Sequence, residues 1–175
     1  MVEHTLSLLI PKEKIEVRVK ELAWLISSDY AGRRPVILGV LKGSFMFLAD
    51  LLRHLTVDPL VDFIAVSSYR NGTTSSGRCF LTKNISCDIC HKDVLLVEDI
   101  VDTGTTFRFL IGHIRDHAPS SLKICTLLDK PSRRAHAIPI DYCGFTISDD
   151  FVVGYGLDCD EQYRSLPGIY ILKKQ

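Results

Sequence analysis

The chain has 175 residues, room for one core at roughly 150 residues per domain, so residues 1–175 read as a single domain. Hydrophobic residues make up 46% and charged residues 24%, ordinary globular usage that excludes disordered, collagen-like and coiled-coil chains. Twenty-one Lys and Arg balance twenty-one Asp and Glu, which gives no global attraction to nucleic acid or to an anionic membrane and makes any anion site local.

After Pro11, the residues Ile15, Val19, Leu22 and Ile26 follow at steps of four, three and four, one face of a helix ending near Gly32. Residues 35–40 are short and apolar on both faces, as in a strand buried within a sheet. Residues 44–55 return to helical spacing through Phe45, Leu48, Leu52 and Leu55. A strand over residues 60–67 is followed by RNGTTSSG at residues 70–77, too polar and glycine-bearing to pack and expected as a mobile loop. Residues 93–97 form a third strand, residues 98–106 a polar segment, and Phe107, Leu110, Ile111 and Ile114 the apolar face of a helix. A fourth strand covers residues 122–128, with shorter β-like pieces at residues 142–147, 151–155 and 169–172. Strands alternating with helices imply an α/β fold with a mostly parallel sheet, and the late short strands a small antiparallel cap.

No apolar run approaches the roughly 18 residues of a membrane span, and the opening stretch is too short for a signal peptide, so the chain is expected in the cytoplasm. Its six cysteines are few for a disulfide scaffold and read as reduced thiols. Residues 87–91 spell C-x-x-C-H, a haem-attachment pattern, but covalent attachment belongs outside the cytosol. A zinc site from Cys87, Cys90 and His91 lacks a fourth ligand, since no second paired cluster is present.

The chemistry concentrates in residues 94–106, VLLVEDIVDTGTT, where an apolar strand delivers carboxylates and hydroxyls to a helix N-terminus. In a parallel α/β sheet, ligands bind beyond the carboxyl ends of the strands, where backbone N–H groups of the next loop and helix hold phosphate. Residues 102–106 supply that cradle: Gly104 allows close backbone approach, and Thr103 and Thr106 add hydroxyl donors. Glu98 and Asp99 are placed to accept from sugar hydroxyls. The plain alternative is a helix-capping loop with solvated acids. A Walker A pattern is absent.

This segment resembles the phosphoribosyl-pyrophosphate (PRPP) motif of the phosphoribosyltransferases, in its hypoxanthine-guanine branch. The resemblance continues, in order, through Leu41-Lys42-Gly43, Ser68-Tyr69, Leu128-Asp129-Lys130-Pro131, the run DFVVGYGLD at residues 150–158, and Arg164. It implies a parallel phosphoribosyltransferase core with a small C-terminal hood. It implies that Glu98, Asp99, Asp102, Thr103, Gly104, Thr105 and Thr106 hold the ribose 5-phosphate, Thr105 at a variable position. Leu41, Lys42, Gly43 and Arg164 become the pyrophosphate site, with the peptide bond before Lys42 able to be cis. Lys130 becomes the donor to the exocyclic oxygen of the purine, Phe151 the stacking ring, and Val152 and Asp158 the readers of its pyrimidine edge. Asp102 becomes the general base, Ser68 and Tyr69 the lid, and Glu98, Asp99 and Asp158 the ligands of Mg²⁺.

The implied activity is purine salvage: transfer of the 5-phosphoribosyl group from PRPP to hypoxanthine, and to guanine, by a homo-oligomer (dimer or tetramer) that binds neither nucleic acid nor membrane. Two rivals remain open from sequence. A non-catalytic PRPP-sensing regulator binding nucleic acid is disfavoured by the zero net charge and the full base-binding set. A xanthine-preferring transferase differs at C2 of the base, where recognition falls largely to backbone carbonyls.

Overall fold

The computed structural model describes residues 4–71 and 74–174. Strand β1 (His4–Ile10) leads into helix α1 (Lys12–Asp29), then β2 (Val36–Leu41), α2 (Phe45–His54), and the long hairpin strands β3 (Leu60–Asn71) and β4 (Thr74–Lys83). Strand β5 (Asp93–Val101), helix α3 (Thr105–Arg115), β6 (Ser121–Asp129) and a 3₁₀ turn (Pro131–Arg133) follow, and β7 (Tyr142–Thr146), β8 (Val152–Val153) and β9 (Ile169–Lys174) complete the chain.

The main sheet has the order β4-β3-β2-β5-β6-β7, parallel except where β4 turns back along β3. Its inner strands alternate between two cores. Ile37, Leu95 and Val97 face α1 and α2 with Ile15, Leu22, Phe47 and Leu51, whereas Val36, Leu38 and Leu96 face α3 with Phe107, Leu110 and Ile114. Both faces are therefore covered by helices, as a parallel sheet requires, and all strand ends that follow a β-strand with a loop point to the same edge. Gly39 lets α2 lie close on β2, since a Cβ there would come within 2.5 Å of the Leu48 side chain. No helix among the described residues is long and apolar enough to cross a membrane.

A second sheet, β1-β9-β8, is antiparallel and forms the hood. Val152, Tyr155, Leu157 and Ile169 join the core beneath α1 and α2, and the Tyr155 hydroxyl donates to Asp50 of α2 at 2.7 Å. The hood is therefore not wholly C-terminal. Strand β1 was not expected, because its partner β9 lies at the other end of the chain and no local pattern announces the pairing. The piece at residues 142–147 belongs to the main sheet rather than the cap, as β7 beside β6.

Two further expectations change. Strand β5 runs to Val101, so Glu98 and Asp99 lie inside the sheet rather than in a polar segment after it. The stretch expected as a loop is largely strand: Arg70 pairs with Ser75 and Asn71 with Thr74, while Gly72 and Thr73 lie outside the described residues. Backbone pairing carries the arm past Ser67 through residues that are mostly polar in sequence, so period-two hydrophobicity gave no signal there.

Asp62 ties the arm to the connector ahead of β5. Its carboxylate accepts from the backbone of Phe63 (2.7 Å), Ser86 (2.5 Å) and Cys87 (3.0 Å) and from the Lys83 ammonium at 3.1 Å. The C-x-x-C-H segment is thus a braced connector, and burial pushes the Cys87 thiol up. For Asp62, burial opposes the charged form, but these donors outweigh it and hold the carboxyl well below its ordinary 3.8. A depressed acid stabilises the fold above its unfolded value and loses that contribution as pH falls through the folded value. Asp62→Asn is expected to lower unfolding free energy by about 2 kcal/mol at neutral pH. Urea denaturation should show the gap to wild type closing below about pH 4; a gap constant into strong acid removes the charge as its cause.

Candidate active site

Strands β2 and β5 are neighbours, so the loop after Leu41 and the carboxylates of Glu98 and Asp99 meet at one sheet edge. The Leu41–Lys42 peptide bond is cis. Gly43 then passes so close to β5 that a Cβ would sit 1.7 Å from Asp99 Oδ2. Ser44 begins the turn into α2, and its hydroxyl donates to Val40 O at 2.6 Å.

Glu98 and Asp99 are both buried. Burial pushes the Glu98 carboxyl well above the usual carboxylate range, and the Asp99 charge beside it pushes the same way. Burial also raises Asp99, against the hydrogen bond from Ile100 N–H at 2.8 Å and the attraction of Arg164. Glu98 Oε2 has no hydrogen-bond partner. A buried orphan carboxylate oxygen is costly, and a hard cation or a sugar hydroxyl is the natural partner for it.

Past Val101 the chain turns through Asp102 and Thr103 to Gly104, which caps α3 with φ of 84°. That left-handed conformation suits glycine, and an added Cβ would also come within 2.9 Å of His136 O. The N–H groups of Ala135 and His136 both donate to Thr103 O, at 2.9 and 3.2 Å, bracing the turn from outside. A hollow of about 250 Å³ opens here, lined by Leu41, Glu98, Asp99, Asp102, Thr103 and Thr106 among others. Thr105, whose hydroxyl lies 3.2 Å from the Thr103 hydroxyl, also lines a second, wider hollow of about 520 Å³ with Arg108, His113 and His136. The carboxylates and the cis loop are absent from that second wall, so the chemistry belongs to the smaller hollow.

The hood side brings the base-binding set. Lys130 is buried, and its ammonium donates to Asp150 O at 2.5 Å, directly before Phe151. The Phe151 ring is 55% exposed, which overturns a core role and leaves a face free to stack. Val152 is buried and paired with Ile171. Asp158 accepts from Arg164 Nη2 at 2.9 Å and from Glu161 N–H at 2.9 Å. It does not join Glu98 and Asp99: no group of three or more His, Cys, Asp or Glu among the described residues is placed to hold one metal ion. The expected ligand set is therefore split between β5 and the hood turn. The side chains of Ser68 and Tyr69 lie outside the described part, although β3 carries their backbone and its Val66 lines the smaller hollow.

Three contributors were not read from the sequence. Arg133 Nε lies 2.9 Å from Asp102 Oδ1, Arg134 binds the Asp129 carboxylate and Asp102 O, and Glu161 bridges Lys42 and Arg164 at 3.0 and 3.2 Å. Paired arginines two residues beyond Asp129-Lys130 were the available signal for the first two. Glu161 carries only the Asp158-x-x-Glu161-x-x-Arg164 spacing.

A doubly wound sheet with a hydroxyl-rich helix start and buried acids at its carboxyl edge defines an enzyme that holds a phosphorylated ligand in the crevice beyond its strands. The phosphoribosyl transferase domain family matches residues 9–161, and the chain belongs to that family; it is a phosphoribosyltransferase. It is similar to the hypoxanthine-guanine phosphoribosyltransferase of Bacillus subtilis (strain 168), 44% identical over 174 residues, which are 99% of this chain and 97% of that protein. The crystal structure of a hypoxanthine-guanine phosphoribosyltransferase from Bacillus anthracis superposes with a TM-score of 0.90 at 47% identity, covering 98% of this chain and 99% of that one. The chain also matches the bifunctional protein TilS/HprT of Listeria innocua at 44% identity, over 95% of this chain but 26% of that protein.

The contact at Gly43 gives a sharp test. Gly43→Ala must push the loop or Asp99 aside, and a displacement of about 1 Å can cost about a hundredfold in rate. Phosphoribosyl transfer by Gly43→Ala is expected to fall by that order with unchanged circular dichroism. Gly112→Ala, where an added Cβ meets nothing within 4 Å, serves as the control and should keep wild-type turnover.

Proposed function

We propose that the chain transfers the 5-phosphoribosyl group from PRPP to hypoxanthine and guanine, releasing pyrophosphate and forming the nucleoside monophosphate. The observation that carries the choice of base is Lys130, a buried ammonium beside an exposed ring at Phe151. An ammonium donates and never accepts. It matches the 6-oxo group of hypoxanthine or guanine, while the 6-amino group of adenine would set donor against donor and leave buried groups unpaired. Its bond to Asp150 O aims it at the position the base takes when stacked on Phe151. Backbone groups of Val152 and Asp158 then read the pyrimidine edge.

In this reading the turn 102–106 and the start of α3 bind the 5-phosphate through backbone N–H groups and the Thr103 and Thr106 hydroxyls. Loop 41–43 turns its backbone toward the pyrophosphate, and Lys42 and Arg164 add charge. Glu98 and Asp99 face the ribose, and Ser68 and Tyr69, further along β3 from Val66, belong to the cover that excludes water. Glu98 and Asp99 on β5, and separately Asp158 on the hood turn, are carboxylates that suit Mg²⁺, which takes oxygen ligands, needs few carboxylates when substrate oxygens complete its shell, and would neutralise the leaving pyrophosphate. Asp102 accepts or shares the N7 proton as the bond to N9 forms, and Arg133 lies 2.9 Å from its carboxylate as a half-exposed ion-pair partner. Residence in the cytoplasm and assembly as a homo-oligomer belong to the same proposal.

The activity is tested by incubating the protein with PRPP, Mg²⁺ and each purine in turn, following nucleotide formation by ultraviolet absorbance. Hypoxanthine and guanine should give product that a chelator abolishes, and adenine none; comparable turnover of adenine overturns the role of Lys130. Asp102→Asn should lower kcat by about 10²- to 10⁴-fold with little change in the KM for PRPP. Unaltered kcat in that variant removes Asp102 from proton transfer.

A further inference from the structure

The turn between Asp158 and Arg164 is a two-residue hairpin: Cys159 and Gln162 exchange backbone hydrogen bonds at 3.2 and 3.0 Å, leaving Asp160 and Glu161 as its central pair. Both are left-handed, with φ of 50° and 63°. Hairpins of this kind prefer glycine at the second central position, because a side chain there is strained. A glutamate at 161 therefore works against the backbone, and a strained residue beside a binding site points to a role for its side chain.

That side chain reaches across from the hood to the core. Glu161 Oε1 lies 3.0 Å from Lys42 Nζ and Oε2 lies 3.2 Å from Arg164 Nη2, so a single carboxylate spans the two cations. Arg164 is held otherwise by Gly156 O at 2.8 Å and by Asp158 at 2.9 Å, whereas among the described residues the Lys42 ammonium pairs with Glu161 alone. Both members of the Lys42 pair are about two-thirds exposed, at 67% and 65%, so the contact is weak and readily exchanged.

We propose that Glu161 is an internal competitor for pyrophosphate: its carboxylate occupies Lys42 and Arg164 in the free protein, must leave them when the diphosphate binds, and returns to them as pyrophosphate departs. The inference rests on the reading of Lys42 and Arg164 as pyrophosphate contacts. Glu161 holds the two cations on one carboxylate while no ligand is present. It weakens binding of the diphosphate in substrate and product alike, and so hastens release of the product. It has no contact with the purine.

The test is calorimetric titration of pyrophosphate, with Mg²⁺, into wild type, Glu161→Gln and Glu161→Gly. The amide keeps the shape and removes the charge; the glycine also relaxes the turn, so that a folding defect in one variant does not obscure the other. An exposed ion pair is worth up to about fivefold in an equilibrium constant, so both variants should bind pyrophosphate about two- to fivefold more tightly. The inhibition constant for product pyrophosphate and the KM for PRPP should fall together, and the KM for the purine should hold. The gap should narrow as salt rises. Equal or weaker pyrophosphate binding in both variants overturns the proposal. Lys42→Met separates the two readings: if it weakens pyrophosphate while the Glu161 variants leave it unchanged, only the competitor role fails. If Lys42→Met has no effect, the pyrophosphate reading of residues 41–43 fails and the competitor role with it.

Discussion

Gly43 is packed between two parts of the chain that come from far apart in sequence. On one side the Asp99 carboxylate leaves no room for a Cβ, and on the other Gly156 of the hood lies so close that its own Cβ would sit 2.0 Å from Gly43 O. Two glycines thus let the β2 loop run as a bare backbone between the sheet and the hood. Everything the site needs follows from that closeness. The loop's N–H groups, the β5 acids and the hood's arginine are brought to one edge because no side chain holds them apart.

The electrostatics at that edge are unbalanced by design of the sheet. Strand β5 carries its acids into the fully paired interior, where burial favours their protonated forms and one Glu98 oxygen finds no partner. Such a pair is stable only when cations or hydroxyl donors are supplied from outside the strand. Arg164 supplies part of this from the hood, and the reaction's own ligands fit the remainder. The site is thereby most complete when occupied, a useful property where binding energy must favour the charge arrangement of transfer.

How far the sequence revealed this depended on whether the signal was local. The parallel core was legible because β2, residues 94–97 of β5 and residues 124–128 of β6 are predominantly apolar and α1 and α3 keep strict helical spacing. The phosphate turn was legible because its residues are contiguous. Strand β1 was invisible, since a seven-residue strand pairing with β9 about 160 residues away leaves no periodic trace of its partner. The β3–β4 arm was hidden by polar side chains on a backbone ladder. Arg133 and Glu161 escaped notice because a charged residue in a turn has no distinctive pattern until its partner is placed.

The hood couples binding to long-range structure. Lys42 stands on a core loop and Arg164 on the hood, and the hood is held by the β1–β9 ladder, by apolar packing under α1 and by the Tyr155–Asp50 hydrogen bond. Any local opening that lifts β8 and the following turn would part the two cations and carry Phe151 away from Lys130, dissolving the diphosphate and base sites together. A segment at the chain's start is therefore required for a site whose residues begin at position 41, and the core alone, with its intact phosphate turn, would retain only the sugar-phosphate half of recognition. On the proposed reading, one site is divided between the parallel sheet, which carries the phosphate turn, and the separately laddered hood, which carries Phe151, Asp158 and Arg164.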